Sequence, residues 1–346
     1  MRLVLLAGLE EEAGRAFCRL LRAFMPDEEV SLMAAEVNAD VISRAARSNG
    51  AIVAVLWGLN EVAEALHATD FEAQMRILID RVRQDLGLAE TVPFILAVRG
   101  FGGPDLSAVE VALERLAATT PYIGLVQAAD LLEGGDRLSA EAQELLGERC
   151  FRMWKSMSAV SPERLAAQAV KYRDAPRVHT SVLLDPGELL VTSPFGLRPH
   201  PVTGEPETFH AGIDGALWNG RMLLETGICA WRDGIVVEAA DTDGPAGTCV
   251  VLDHGDGFVS RYFHLEHGSL AVASGDHVRA GILLGWMGKT GRATGEHLHF
   301  QLEKDGEPID PLPLLCKSDV ESRRNRQTVK PSNCQTVKLN GEVPSP

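Results

Sequence analysis

Two short stretches of this 346-residue chain carry side chains that can close on a single metal ion. One is His210-Ala211-Gly212-Ile213-Asp214; the other, far downstream, is His297-Leu298-His299. Extended backbone sends alternate side chains to one face, so His297 and His299 can share a face, and His210 and Asp214 can share another. Gly212 and its glycine-rich surroundings argue against a helix, which separates this pattern from the helical i,i+4 histidine pair of an H-E-x-x-H site. Three protein ligands with an open fourth position are what catalytic zinc requires, because the ion must hold a water and lower its pKa. A lone His-x-His is more often a structural or surface feature. The two stretches together point to one metal centre.

The surrounding residues extend the pattern. Ser193-Pro194-Phe195-Gly196-Leu197-Arg198 leads towards His210, and Asp233-Gly234 opens a turn before the apolar run 235–237. Val250-Val251-Leu252-Asp253-His254-Gly255, Tyr262-Phe263-His264-Leu265 and Gly285-Trp286-Met287-Gly288-Lys289-Thr290-Gly291 follow. Thr294-Gly295-Glu296-His297-Leu298-His299-Phe300 closes the series. In that order, over residues from about 186 to 315, the chain resembles the lysostaphin/LytM-type zinc endopeptidases, which cleave peptide cross-links in bacterial cell walls.

That resemblance implies a compact antiparallel all-β domain of the lysostaphin type, a duplicated hybrid motif. It makes His210, Asp214 and His299 the ligands of one zinc ion per chain. It makes His264 and His297 the catalytic histidines beside the metal, one to accept the proton of the attacking water and one to stabilise the oxyanion, without saying which does which. Arg198, in the Phe-Gly-x-Arg element, is expected to support the site rather than react. The implied substrate is a peptide bridge or stem of peptidoglycan, cut at a glycyl-glycine or a diaminopimelate link. All five metal and catalytic positions match, which favours a working peptidase over a wall-binding structural protein or an amidase-activating adaptor. The family usually has Pro-Val where this chain has Ile228-Cys229, a change expected to fall on a core strand. His67, His179, His200, His254, His267 and His277 are expected at surface or satisfied core positions, with His200 the one nearest the metal segment.

The first half of the chain has a different texture. Apolar runs at 3–9, 30–34, 51–59, 93–98 and 122–127 alternate with helical patterns at 11–24, 60–86, 107–118 and 139–154. In the first helix Ala13, Phe17, Leu20, Leu21 and Phe24 mark one face at helical spacing. Near-continuous apolar strands alternating with helices imply an α/β three-layer domain with a mostly parallel sheet, SGNH- or flavodoxin-like. The turn Gly8-Leu9-Glu10-Glu11-Glu12 suits the dipole of the helix that follows but would repel a phosphate, so no nucleotide site is expected there.

Leu6-Ala7-Gly8-Leu9-Glu10-Glu11-Glu12-Ala13-Gly14-Arg15 is similar to the opening block of the SGNH-type, sialate O-acetylesterase-like carbohydrate esterases. Val55-Leu56-Trp57 with Asn60-Glu61 resembles their second block. Asp136-Arg137-Leu138-Ser139 followed by Leu146-Gly147-Glu148-Arg149 resembles their last. The likeness places Glu10 at the nucleophilic serine and Arg137 at the catalytic histidine. Without an activatable hydroxyl and its base, acyl-enzyme chemistry has no route. The expectation is a pseudo-esterase, a scaffold that binds a glycan, another protein or its own copies.

These readings divide the chain into residues 1–158, a helical linker over 159–185 opened by Ser161-Pro162-Glu163, the peptidase-like domain at 186–315, and a polar extension at 316–346. A formal net charge of -15 argues against a nucleic-acid partner. Six cysteines without a C-x-x-C pair make neither a zinc ribbon nor a disulfide scaffold; a Cys229–Cys249 bridge is left open. No run approaches a membrane span, and the apolar residues 3–9 are too few for a signal peptide. The expectation is therefore action on the cell wall or periplasm after delivery by a phage virion or release at lysis, with virion or tail proteins as possible partners.

Overall fold

The five apolar runs of the first half become five strands: β1 (Arg2–Ala7), β2 (Val30–Ala35), β3 (Ala51–Gly58), β4 (Phe94–Val98) and β5 (Ile123–Gln127). They pair in parallel in the order β2-β1-β3-β4-β5. The computed structural model describes residues 2–7, 9–35, 50–59, 70–98, 106–132, 138–198 and 208–315. His67, Arg137, His200, the first part of the 60–86 helical pattern and the 316–346 extension lie outside the described residues.

Helices α1 (Glu11–Phe24), α2 (Phe71–Leu86), α3 (Leu106–Thr119) and α4 (Ala140–Ser158) cover the sheet on both faces. Ala13, Phe17 and Leu21 of α1 meet Leu146, Cys150 and Met153 of α4 on one side. Phe71, Met75 and Ile79 of α2 meet Leu113 and Leu116 of α3 on the other. Each fully buried Leu or Phe contributes roughly 1.5–3 kcal/mol, so strands that are apolar on both faces are what such a three-layer arrangement needs. Glu11 and Glu12 sit in the first turn of α1, where Arg15 pairs with both at 2.7 and 2.9 Å. Ser139 caps α4 by accepting from the Ala142 N–H at 3.2 Å.

Two residues of the eroded esterase blocks have structural work. A Cβ at Gly147 would stand 2.3 Å from the Ala13 carbonyl oxygen, so its absence lets α4 lie against α1. Arg149, buried, grips Asp130 through two 2.7 Å bonds and donates to the Gln127 carbonyl at 2.8 Å.

Helix α5 (Pro162–Lys171) follows, with Pro162 in its first turn and Ser161 accepting from the Arg164 N–H at 3.3 Å. The helix accounts for only part of the linker. Residues 177–178 form β6 (Arg177–Val178), and Val182, Leu183 and Leu184 are buried, because these apolar side chains find a core to join.

The second half is antiparallel. Its main sheet runs β16-β13-β14-β15-β18-β10-β7-β6. These strands are β7 (Glu188–Ser193), β10 (Ile213–Trp218), β13 (Gly234–Ala240), β14 (Thr248–Asp253), β15 (Phe258–Leu265), β16 (His277–Val278) and β18 (Leu298–Lys304). β11 (Leu223–Leu224) adds to β10 and β19 (Glu307–Ile309) to β18. Two ribbons flank it: β8 (Gly196–Arg198) with β9 (Thr208–His210), and β12 (Gly227–Cys229) with β17 (Leu283–Trp286). Ile228 and Cys229 lie on the buried strand β12, and Cys229 and Cys249 are buried thiols rather than a disulfide.

The two halves are welded together. One apolar cluster runs from Val4 and Phe17 through Val182 and Leu189 to Phe300 and Leu315. Polar ties cross the same seam. The Gln127 N–H donates to Asp185 at 3.1 Å, Asn219 donates to the Ile123 carbonyl at 3.2 Å, and Tyr122 donates to the Val160 carbonyl at 2.9 Å. Arg152 pairs with Glu266 and stands 4.6 Å over the Trp286 ring. No helix among the described residues is long and apolar enough to cross a membrane.

Candidate metal centre

Asp214 and His299 are directly opposed in the register between β10 and β18, so their side chains leave the same face of the sheet. His210 comes from β9, where it pairs with Gly196 of β8. A Cβ on Gly212 would stand 2.5 Å from the Phe300 carbonyl oxygen and 3.0 Å from His299 Nε2. Glycine there lets the corner between β9 and β10 close against β18.

The three donor atoms form a near-equilateral triangle. His210 Nε2 lies 3.1 Å from Asp214 Oδ1 and 3.0 Å from His299 Nδ1, and the last two are 2.9 Å apart. Ligands on a tetrahedral zinc at ~2.0–2.1 Å sit about 3.3 Å from one another, so an ion need spread the set only slightly. Of the described residues, only this group brings three such ligands within metal-binding reach. His210 Nδ1 lies 2.8 Å from the Pro194 carbonyl oxygen, which can only accept. The proton is thereby fixed on Nδ1 and the Nε2 lone pair faces the other ligands, the tautomer a metal needs.

Burial alone would raise the Asp214 carboxyl, yet the His210 and His299 imidazoles against its Oδ1 hold it well below the usual carboxylate range. Its second oxygen lies 3.4 Å from Arg198 Nη2. The Phe263 ring stacks on His299 at 5.3 Å with an interplanar angle of 8° and sets the plane of that imidazole.

His264 and His297 complete the cluster. Strand alternation would send His264 to the face opposite Phe263, but His264 has φ 64°, the left-handed region. That turn brings its ring to 5.0 Å from His297 and 6.0 Å from His299. Such backbone costs about 1–3 kcal/mol and persists only where neighbours enforce it. Here the His264 N–H donates to the Ala246 carbonyl at 2.9 Å and Nδ1 to the Thr290 carbonyl at 2.8 Å. His297, bridged to Gly288, donates Nδ1–H to the Gly295 carbonyl at 2.8 Å and holds Nε2 3.7 Å from Asp214 Oδ1. Both histidines therefore offer an Nε2 lone pair to the cleft. Burial, with His297 beside it, pushes the His264 imidazole down to about 4, so it is neutral at physiological pH.

The remaining histidines within the described residues have ordinary partners. His254 bridges the Asp233 carbonyl and Ser260, His267 pairs with Asp241 and Asp243, His179 lies near Glu188, and His277 is exposed on β16. In the N-terminal half, Glu10 precedes the first turn of α1 as the turn sequence implies.

All five residues open into a cleft of about 1200 Å³. Its near wall is α5, through Arg164, Gln168 and Lys171, a contribution the sequence reading did not anticipate. The available signal was the capped helix start Ser161-Pro162-Glu163. Glu296 also lines the cleft and hydrogen-bonds the buried Glu225. Burial and that bond push the Glu225 carboxyl well up, so the pair keeps a proton at neutral pH.

Comparison with known proteins agrees with the geometry. Residues 208–311 match Peptidase family M23, and residues 28–156 match the carbohydrate esterase family of sialic acid-specific acetylesterases. The DD-carboxypeptidase/endopeptidase Mpg of Neisseria meningitidis is 35% identical over 122 residues, covering 35% of this chain and 26% of that protein. The peptidoglycan DD-endopeptidase ShyA of Vibrio cholerae is 36% identical, covering 33% of this chain and 25% of that protein. The chain thus spans about a quarter of the length of these relatives. Among solved structures, a zinc-containing peptidase from Vibrio cholerae is 30% identical with a TM-score of 0.33, covering 39% of this chain and 40% of that one. Peptidases of this family are zinc-dependent, and the His210, Asp214 and His299 donor set fits that ion. The chain therefore carries a Peptidase family M23 domain of the lysostaphin type at its C-terminus, joined to a sialic acid-specific acetylesterase-type domain at its N-terminus.

Proposed function

We propose that this protein is a zinc-dependent endopeptidase that cleaves peptide cross-links or stems of bacterial peptidoglycan. The observation that carries the reading is the convergence of His210, Asp214 and His299 within 3.1 Å, with His264 and His297 in the same cleft. Zinc held by the three ligands supplies Lewis acidity, which makes water more acidic and polarises a carbonyl. Around it, His264 and His297 present Nε2 with their Nδ1 protons already committed to carbonyls. One accepts the proton of the attacking water at Nε2 and delivers it to the leaving amine; the other steadies the developing oxyanion in its protonated form, through Nε2–H. Arg198, 3.4 Å from the second oxygen of Asp214, helps to orient that carboxylate.

Relatives of this domain include peptidoglycan DD-endopeptidases and a glycyl-glycine endopeptidase, so both bond types fall within the proposal. Deployment from a phage virion or at lysis is its finer part, tested by locating the protein in purified particles. The principal test incubates purified peptidoglycan with the zinc-loaded chain and with His299→Ala, following turbidity, soluble fragments and zinc content. About one zinc per chain and peptide-cut fragments for wild type alone support the reading, and fragment masses name the bond. Zinc bound without cleavage of any peptidoglycan would replace it with a wall-binding structural role.

A further inference from the structure

The M23-type residues occupy only part of the cleft; the rest of its lining comes from the linker between the domains. α5 stands along one side, and Gln168 accepts from the Leu223 N–H at 3.3 Å, which ties the helix to the end of β10 and β11. That bond holds the helix beside the cleft. The chain as a whole has a formal charge of -15, yet the cleft lining reverses that balance: Arg164, Lys171, Arg198 and Arg292 face only Asp214 and Glu296.

How the cations are used elsewhere sharpens the point. Arg15, Arg19, Arg149 and Arg261 are each paired with carboxylates at 2.7–2.9 Å. Among the described residues, Arg164, Lys171 and Arg292 make no ion pair. Arg164 reaches only the Ala159 carbonyl at 3.3 Å, and Lys171 lies 4.8 Å over the Tyr172 ring. In a chain with more acidic than basic residues, three cations left without carboxylates around one cleft are suited to bringing in a negatively charged ligand.

We infer that α5 is the specificity wall of the cleft and that Arg164 and Lys171, with Arg292 of the same lining, bind free carboxylates of an anionic peptide substrate. This rests on the peptidase reading and deepens it: stems carrying free carboxylates are preferred over amidated stems or neutral glycine bridges. Each contact is solvent-facing and worth a few-fold, so the pair Arg164 and Lys171 together gives roughly a tenfold preference.

The test uses two synthetic stem peptides, identical except that one has free side-chain and terminal carboxylates and the other carboxamides. Their affinity for the zinc-free full chain is measured by calorimetry, and kcat/KM for the zinc-loaded chain. Wild type is expected to favour the acidic peptide roughly tenfold in both readouts, through KM rather than kcat, with R164Q/K171Q bringing the ratio close to one. The exposed pair R81Q/R115Q, on α2 and α3 and outside the cleft lining, removes the same two positive charges and keeps the wild-type ratio. Equal affinity of wild type for the two peptides, or an undiminished preference in R164Q/K171Q, overturns the inference. Charge-dependent binding without cleavage of either peptide supports the α5 wall and counts against the peptidase reading, so the two failures are separable.

Discussion

At the end of β1 the N-terminal domain presents Glu10 where its likeness to the acetylesterases places a nucleophilic serine. At the meeting of β9, β10 and β18 the C-terminal domain presents three ligands and two further histidines in the pattern of its family. Both domains are fully cored, and both retain the close glycine contacts their folds need, Gly147 in one and Gly212 in the other. They differ in what the glycine protects. Gly147 lets two helices touch and has no bearing on a reacting group, whereas Gly212 seats β18 and with it His299. Packing and chemistry are therefore separable in the first domain and inseparable in the second.

The largest expected effect is in the second domain. His299→Ala should lose both zinc and peptidoglycan cleavage, measured by metal analysis and fragment release. His264→Ala should keep zinc and fold but slow cleavage by roughly 10²–10⁴-fold, the ordinary worth of a positioned proton carrier. If it instead lost zinc, His264 would belong among the ligands. Gly212→Ala tests the coupling of packing to chemistry. Its Cβ would meet the Phe300 carbonyl, so a loss of about 1–3 kcal/mol in urea unfolding should come with weakened zinc binding. Gly147→Ala should lower stability alone.

The seam between the domains gives a smaller, pH-dependent effect. Burial pushes the Asp185 carboxyl from an ordinary 3.8 up to about 6. Between those values the folded protein holds a proton that the unfolded chain releases, so wild type loses stability relative to Asp185→Asn as pH rises across that window. The relative loss totals roughly 3 kcal/mol, read from urea unfolding of both proteins at about pH 4 and about pH 7. The smallest effect expected is none. Glu10→Ser should not create esterase activity on acetylated sugars, since a hydroxyl without its base has no route to an acyl-enzyme. Any turnover there would break the contrast between the domains.

Much of this was legible in the residues. Continuous apolar runs gave away a parallel sheet, because strands buried on both faces have no polar side to alternate. The clustered donor set was legible because zinc restricts which side chains can hold it, and because His210, Asp214 and His299 sit in motifs specific enough to resemble one family. Three things were hidden. Pairing of Asp214 with His299 depends on the β10–β18 register, which joins residues 85 apart in the chain. The φ of 64° that swings His264 inward is imposed by Ala246 and Thr290 from other loops. The role of α5 was hidden because its sequence states only that a helix starts at Pro162, while its position over the cleft is set by a side-chain bond from Gln168.

The continuous cluster from Val4 to Leu315 bears on how such a chain can be taken apart. With Asp185 answering Gln127 and Asn219 answering Ile123, a break in the linker would not release two finished modules. Each fragment would bare the apolar surface its neighbour had covered. The chain should melt in one calorimetric transition and resist proteolytic dissection between α4 and β7. Exchanging its front half for an unrelated module would require redesigning the surface left behind.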